Sequence, residues 1–228
     1  MLSPKIGEAS IVLNPQEDPA TQRTYVTFGL ERGGTSPIAG IQRALGLYLG
    51  RIPGGNNEDP AFHNHTIKAM RETIAGRDAA HDVWGFKYPN AGKYLPTLVR
   101  SLREPSFVIV FRDPVATALS RARWDGDSLR RPPRMALHEA SSNGNANLSF
   151  ALATGRPTML VSTERVERHT SALIDEIASF LGVQPPEEDL RTRILEYLTP
   201  GSYKKFEEYF PEQVAAEARA HEAEDSAN

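Results

Sequence analysis

The sequence predicts an α/β protein, a three-layer α/β/α sandwich with a central parallel sheet. Short apolar segments of strand length alternate along the chain with longer segments of helical periodicity. One of them, Ser106–Phe111 (SFVIVF), has five consecutive apolar residues, as expected for a strand covered on both faces. A glycine-rich turn also follows the first of these strands and precedes a helical pattern, which is typical of half a βαβ unit.

The first half of the chain gives most of these signals. The β-branched and aromatic residues of Thr24–Gly29 (TYVTFG) predict a strand that ends in glycine. After the glycine-rich turn, Ile38–Leu49 carries apolar residues at helical spacing. Residues 52–60, rich in Pro, Gly and Asn, predict a loop. We expect a helix over 61–76 and a short strand over 83–87.

The second half continues the alternation. The strand Ser106–Phe111 is followed by Asp113, a helix N-cap, and by Pro114 at the first helical position. The remaining segments, in chain order, are a helix over 91–102, a loop over 125–134, a helix over about 135–153, a strand over 158–161 and a helix over 164–181 ended by Gly182.

The chain reads as one domain with two appendages. At 228 residues it is long enough to bury a core without disulfides or metals. We assign residues 24–206 to the α/β domain and residues 1–23 to a polar N-terminal extension. Residues 207–228, rich in Ala and Glu with few large apolar residues, predict a tail that is either a solvated helix or disordered.

Composition excludes several classes of function. The chain has no cysteine, and therefore no disulfide, Cys-ligated zinc or thiol nucleophile. A formal net charge of −3 argues against a general nucleic-acid-binding protein. The sequence has no integral membrane segment of the roughly 20 apolar residues required and no signal-peptide pattern. We therefore expect a cytoplasmic protein.

The segment Gly29–Ser36 (GLERGGTS) has the spacing of a phosphate-binding loop. In such a loop glycines let the backbone curl around an anion, and the amides of the next helix point inward. One position departs from the nucleoside triphosphatase pattern, because Thr35 stands where a lysine should neutralise the β- and γ-phosphates. The nearest cation is Arg32 instead.

The string Arg32-Gly33-Gly34-Thr35-Ser36 resembles the 5′-phosphosulfate loop of bacterial-type sulfotransferases that use PAPS (3′-phosphoadenosine 5′-phosphosulfate). The resemblance implies a P-loop NTPase-like fold. It also implies PAPS as co-substrate, PAP (the 3′,5′-bisphosphate) as product, and no required metal. In this family Arg32 and the loop that follows it would hold the phosphosulfate.

A second segment is similar to the same family. Arg112 directly follows the apolar strand, and Ser120 lies eight residues later on the predicted helix. This resembles the family's 3′-phosphate element, an Arg at a strand end and a Ser on the next helix. A forked guanidinium suits a phosphate, and a helix start adds its dipole. The pair would select PAPS over ATP.

Three further segments resemble the family more weakly. The acceptor-side segment of the family places a His or Lys two residues before Pro, which here is Lys87. Pro200–Lys204 resembles the late basic loop that closes over the nucleotide in this family. The resemblance implies that Tyr203 and Lys204 contact the nucleotide. The "YEDL…FLG" stretch resembles Ser162–Val166 with Phe180–Gly182, although its Tyr is absent.

The predicted catalytic residues are Lys87, Glu58 and Arg32. Lys87 would stabilise charge on the sulfuryl group, but a protonated lysine is a poor base, and family members use a His at this position. A carboxylate could replace this histidine as the general base. Glu58 is our first candidate for the base, and Glu31, inside the loop, is the second.

We assign no catalytic or metal-binding role to the histidines. We expect His63, His65 and His81 to lie at the surface or to be partly buried rather than to act as bases. The pair His63-x-His65 has no third ligand in the sequence, and we predict no metal site.

We therefore predict transfer of a sulfuryl group from PAPS to a hydroxyl or amine of a carbohydrate or small metabolite. The alternatives are a non-catalytic, sulfotransferase-like nucleotide-binding protein and a P-loop kinase. The arginine-rich stretch from Arg121 to Arg134 is either a solvated face or a guide for an anionic glycan or lipid headgroup. A homodimer is left open.

Overall fold

The computed structural model describes residues 3–16, 21–63, 65–124, 132–199 and 205–227, without the side chains of residues 123, 124, 223, 226 and 227. The strands of this part of the chain are β1 (Lys5–Ile6), β2 (Ser10–Leu13), β3 (Arg23–Phe28), β4 (Val83–Lys87), β5 (Ser106–Phe111) and β6 (Thr158–Ser162). The helices are α1 (Thr35–Ala44), α2 (Ile67–Ala80), α3 (Leu95–Leu98), α4 (Pro114–Trp124), α5 (Pro133–Ala153), α6 (Thr163–Val166), α7 (Thr170–Leu181), α8 (Glu188–Leu198), α9 (Phe206–Tyr209) and α10 (Pro211–Ala227). Single 3₁₀ turns span Pro60–Phe62, Pro89–Lys93 and Val99–Ser101.

The strands form one sheet in the order β1-β2-β6-β5-β3-β4. Strands β3 to β6 are parallel, as predicted, whereas β1 pairs with β2, and β2 with β6, in antiparallel register. The sheet is therefore mixed, and residues of the segment assigned to a polar extension provide its antiparallel edge. The predicted α/β class is confirmed.

Alternate side chains of the central strands enter two different cores. In β5, Val108 and Val110 pack with the helices α1, α7 and α8 on one face. Phe107 and Ile109 pack with α2, α3 and α5 on the other. Both faces of the sheet are thus covered by helices, which explains the uninterrupted apolar run of this strand.

The helices differ in detail from their predicted bounds. The helix predicted over 91–102 is divided into 3₁₀ turns and the short α3, and Pro96 within this range lacks a backbone amide. The helix predicted over 164–181 is interrupted between α6 and α7. Helix α8 was not predicted. The tail forms helix α10, whose contacts with the domain are described below.

The sheet topology sets the place of the functional site. From β3 the chain passes through α1 and α2 to β4 on one side, and then returns to β5 on the other side of β3. Parallel sheets bind ligands at the carboxyl ends of their strands, where the strand order reverses. This point lies between the loop after β3 and the first residues after β5.

Candidate functional site

The loop after β3 has glycine where a side chain would not fit. A Cβ on Gly29 would lie 2.4 Å from the carbonyl oxygen of Val110 in the neighbouring strand β5. Gly34 caps α1 with φ of 90°, in the left-handed region that favours glycine. Helix α1 then begins at Thr35, so its first amides face the curled loop as in a phosphate-binding loop.

Side chains from distant elements hold the carbonyl groups of this loop. Asn147 Nδ2 of α5 donates to Gly29 O at 2.9 Å, and Thr163 Oγ1 of α6 donates to Gly33 O at 2.9 Å. Carbonyl oxygens would repel an anion, and these contacts engage two of them in hydrogen bonds. The loop is therefore fixed in a shape suited to a negatively charged group.

The two predicted phosphate elements meet in the structure. Arg112 Nη1, at the end of β5, donates to Arg32 O at 2.8 Å, although the two residues are 80 positions apart in the sequence. Arg32 itself has a left-handed φ of 62°, an uncommon conformation outside glycine, Asn and Asp. The guanidinium of Arg112 is thus placed against the turn that carries Arg32.

The start of α4 is capped as predicted. Asp113 Oδ1 accepts from the amide of Ala116 at 2.8 Å, and Pro114 is the first helical residue. Ser120 is a partly buried residue of α4. Its neighbour Arg121 pairs with Glu31 of the loop at 2.9 Å. The helix that carries Ser120 therefore lies beside the glycine-rich loop.

Glu31 is committed to its own partners. Asn90 Nδ2 donates to its Oε1, and Arg121 donates to its Oε2 at 2.9 Å. Burial by itself would raise the pKa of Glu31, but these hydrogen bonds and the charge of Arg121 outweigh it and lower the pKa. A carboxylate stabilised in this way is a weaker proton acceptor than an unperturbed one.

Lys87 ends β4 beside the first turn of α1. Its side chain is 1% exposed, and its Nζ donates to Ser36 Oγ at 3.1 Å, to Asn56 O at 2.9 Å and to Glu58 Oε1 at 2.6 Å. Burial lowers the pKa of Lys87, while the charge of Glu58 and its hydrogen bond partly offset that effect. The structure thus brings Lys87, Glu58 and Ser36 into one cluster.

His63 extends this cluster. Its Nε2 lies 3.3 Å from Glu58 Oε2, and its ring lies 4.7 Å from that of Tyr88, centroid to centroid. Glu58 therefore contacts Lys87 through one carboxylate oxygen and His63 through the other. His63 is partly buried, as predicted. Its contact with Glu58 was not predicted.

Most of the predicted site residues lie at this edge of the sheet. Tyr203 and Lys204, with the rest of Pro200–Lys204, lie outside the described residues. The sequence reasoning did not assign a role to Asn57, Asn147 or Thr163, which hydrogen-bond to the loop or to the first turn of α1. Of these three, only Thr163 had a signal, since it lies two residues beyond the strand predicted over 158–161.

The described residues include neither a membrane-spanning helix nor a metal-binding cluster. None of the helices in the described ranges is long and apolar enough to cross a membrane. Within the same ranges, no three or more His, Asp or Glu side chains are grouped so that they could hold a metal ion.

Three solved structures are similar to most of this chain. Mouse sulfotransferase SULT7A1 complexed with PAP has a TM-score of 0.54 and 12% identity, over 82% of this chain and 70% of that one. The sulfotransferase domain of the Synechococcus PCC 7002 olefin synthase has a TM-score of 0.52 and 16% identity, over 89% and 98%. The sulfotransferase domain from the curacin biosynthetic pathway has a TM-score of 0.53 and 11% identity, over 82% and 80%.

No protein-family model and no curated protein matches the sequence. Identities of this size establish a common architecture and leave substrate and activity open. The predicted resemblance in fold is confirmed. The chain has the sulfotransferase fold, of the P-loop NTPase-like kind.

Proposed function

We propose that this protein is a PAPS-dependent sulfotransferase. One observation carries the proposal: the guanidinium of Arg112 hydrogen-bonds the turn of Arg32 at the switch point of the sheet. A phosphate bound by Arg112 would then lie close to an anion bound by the glycine-rich loop. Two anionic groups near each other on one nucleotide match the 3′-phosphate and 5′-phosphosulfate of PAPS.

The donor would be held by residues from both elements. In this proposal Arg32, Gly33, Gly34, Thr35 and Ser36 bind the 5′-phosphosulfate, through loop and helix amides and two hydroxyls. The 3′-phosphate is bound by Arg112 and Ser120. Tyr203 and Lys204 remain proposed nucleotide contacts on the grounds of the sequence resemblance.

The proposed reaction is an in-line displacement at sulfur. The acceptor oxygen or nitrogen forms a bond to sulfur, the bond from sulfur to the phosphate oxygen of the donor breaks, and PAP leaves. Lys87, with its Nζ 3.1 Å from Ser36 Oγ, is placed to stabilise charge on the transferring group and the leaving oxygen. Glu58 accepts the acceptor proton.

The contacts of Glu58 support its choice over Glu31. Glu58 contacts Lys87 beside the first turn of α1, whereas Glu31 is bound by Asn90 and Arg121. We propose a hydroxyl or amine of a carbohydrate or small metabolite as the acceptor.

Replacing Arg112 by Ala should weaken the binding of PAP by about 10- to 100-fold, because hydrogen bonds to charged groups contribute roughly 1.5–3 kcal/mol. Adenosine 5′-phosphosulfate, which lacks the 3′-phosphate, should lose much less affinity. Isothermal titration calorimetry with both nucleotides measures the difference. Arg100→Ala, at an exposed arginine in the 3₁₀ turn before β5, whereas Arg112 follows β5, is the control. Equal losses for the two nucleotides would remove Arg112 from the 3′-phosphate site.

A further inference from the structure

Helix α10 is joined to the domain by two buried arginines. The sequence of this helix predicts a solvated or disordered tail, yet Glu217 and Glu224 point into the domain and pair with Arg43 and Arg77. Buried ion pairs give little net stability compared with apolar packing. The role of these two ion pairs is therefore inferred from where they lie in the fold and not from their contribution to stability.

Arg43 connects α10 to Asn57. Its Nε and Nη2 donate to the two carboxylate oxygens of Glu217 at 2.8 and 2.7 Å, and its Nη1 donates to Asn57 Oδ1 at 2.5 Å. The guanidinium also lies over the ring of Phe206, 3.8 Å from the centroid. With three of its nitrogens engaged and one face covered, Arg43 has a single well-defined orientation.

Asn57 carries this connection onward to α1. It is fully buried, has a left-handed φ of 57°, and donates through Nδ2 to Ser36 O at 3.0 Å. The conformation fits an Asn held by side-chain hydrogen bonds. Through Arg43 and Asn57, Glu217 thus fixes the backbone on the N-terminal side of Glu58.

Arg77 forms the second connection, on the other side of Glu58. It is 1% exposed, pairs with Asp59 through Nη2, and lies 3.5 Å from Glu224 through Nε. Glu224 also accepts from Tyr48 Oη at 2.6 Å. Asp59 caps the turn that follows it by accepting from the amide of Ala61 at 2.9 Å. This turn leads directly to His63.

We infer that α10 positions the acid loop, defined as Asn56–Asp59, so that Glu58 meets Lys87. Glu58 lies between two residues, Asn57 and Asp59, that are each tied to this helix by an arginine. Glu217 and Glu224 are thus positioning residues. The inference deepens the proposed function, since its kinetic consequence rests on the role of Glu58.

Replacing Glu217 and Glu224 by glutamine removes the charges that hold the two arginines, and it should loosen the acid loop while leaving the glycine-rich loop in place. The carboxylate of Glu58 should then contact Lys87 Nζ for a smaller fraction of the time. Because the charge of Glu58 raises the pKa of Lys87, the pKa of Lys87 should fall, in the direction that Glu58→Gln produces. Turnover should fall about 10- to 100-fold through misplacement of the base, and PAP affinity should change less than threefold.

The test compares the double variant Glu217→Gln/Glu224→Gln with Glu58→Gln and with the intact protein. Side-chain NMR of labelled lysine follows the titration of Lys87, and calorimetry and steady-state kinetics give the PAP affinity and kcat. Glu212→Gln is the matched control. Glu212 lies on α10 like Glu217 and Glu224, but it pairs with Arg193 of α8 at 2.5 Å, and none of its described partners belongs to the acid loop. It should behave as the intact protein does.

The expected result is a fall in the pKa of Lys87 by at least half of the change seen in Glu58→Gln. An unchanged titration of Lys87 and unchanged kcat, with only a lower melting temperature, would overturn the inference and leave α10 a stabilising helix. If the double variant does not fold, the two single variants are measured in the same way. The lysine titration needs no turnover, so a failure of the proposed function is distinguishable from a failure of this inference.

Discussion

Replacing Lys87 by Met should lower kcat by about 10²–10³-fold, the size of effect found when one donor to a developing charge is removed. Met preserves the length and apolar body of this side chain but has no charge to offer. PAP affinity should fall much less, because the proposed contacts of the nucleotide come mainly from the glycine-rich loop and Arg112. Steady-state kinetics with PAPS, together with calorimetry of PAP, separate the two quantities.

Lys68→Met is the control for this prediction, since Lys68 is 86% exposed on α2. Circular dichroism of both variants checks that the fold is retained. A Lys87→Met protein that turns over within threefold of the intact protein would contradict the proposed role of Lys87.

Replacing Glu58 by Gln should lower kcat by about 10²–10⁴-fold, the usual contribution of a general acid or base. Gln is nearly isosteric and keeps an acceptor for Lys87 Nζ, which lies 2.6 Å from Glu58 Oε1. It cannot take a proton from the acceptor. The loss should therefore appear in kcat, with little change in the binding of PAP.

A second variant tells Glu58 apart from its neighbour. His63→Asn should cost less than tenfold in kcat if Glu58 is the base and His63 only contacts it. A loss in His63→Asn as large as that in Glu58→Gln would transfer the role of base to the histidine. Glu72→Gln, at an exposed acid of α2, controls for the loss of a charge.

The fold was predictable where the local sequence decides the structure. Strands β4 and β5 have their predicted bounds, because strands covered on both faces are short and apolar. The antiparallel edge was not predicted. Strand β2 has only four residues, and its partner β6 lies almost 150 positions later, so the pairing leaves no local signal. The same holds for α10, whose buried contacts come from single acidic residues in an Ala/Glu-rich segment.

The site was predictable to the extent that it is made of backbone turns and strand ends. Arg112 and Lys87 each follow or end a predicted strand, and the structure places both at one edge of the sheet. Side chains that hold the site from elsewhere were not predictable. Arg43 and Arg77 lie within helices whose sequence does not distinguish them, and their acidic partners on α10 are more than 140 positions away. Such contacts depend on the packing of helices and not on a motif.

The proposed function requires the glycine-rich loop to bind a 3′-phosphorylated sulfate donor rather than a triphosphate. Titration of the protein with PAP, and separately with ATP and Mg²⁺, in the same calorimeter and buffer tests it most directly. We expect PAP to bind at least tenfold more tightly than ATP with Mg²⁺. Thr35 replaces the lysine that triphosphatases use, and Arg112 lies at the proposed 3′-phosphate site. Equal or tighter binding of ATP with Mg²⁺ would contradict the sulfotransferase proposal and favour a P-loop kinase.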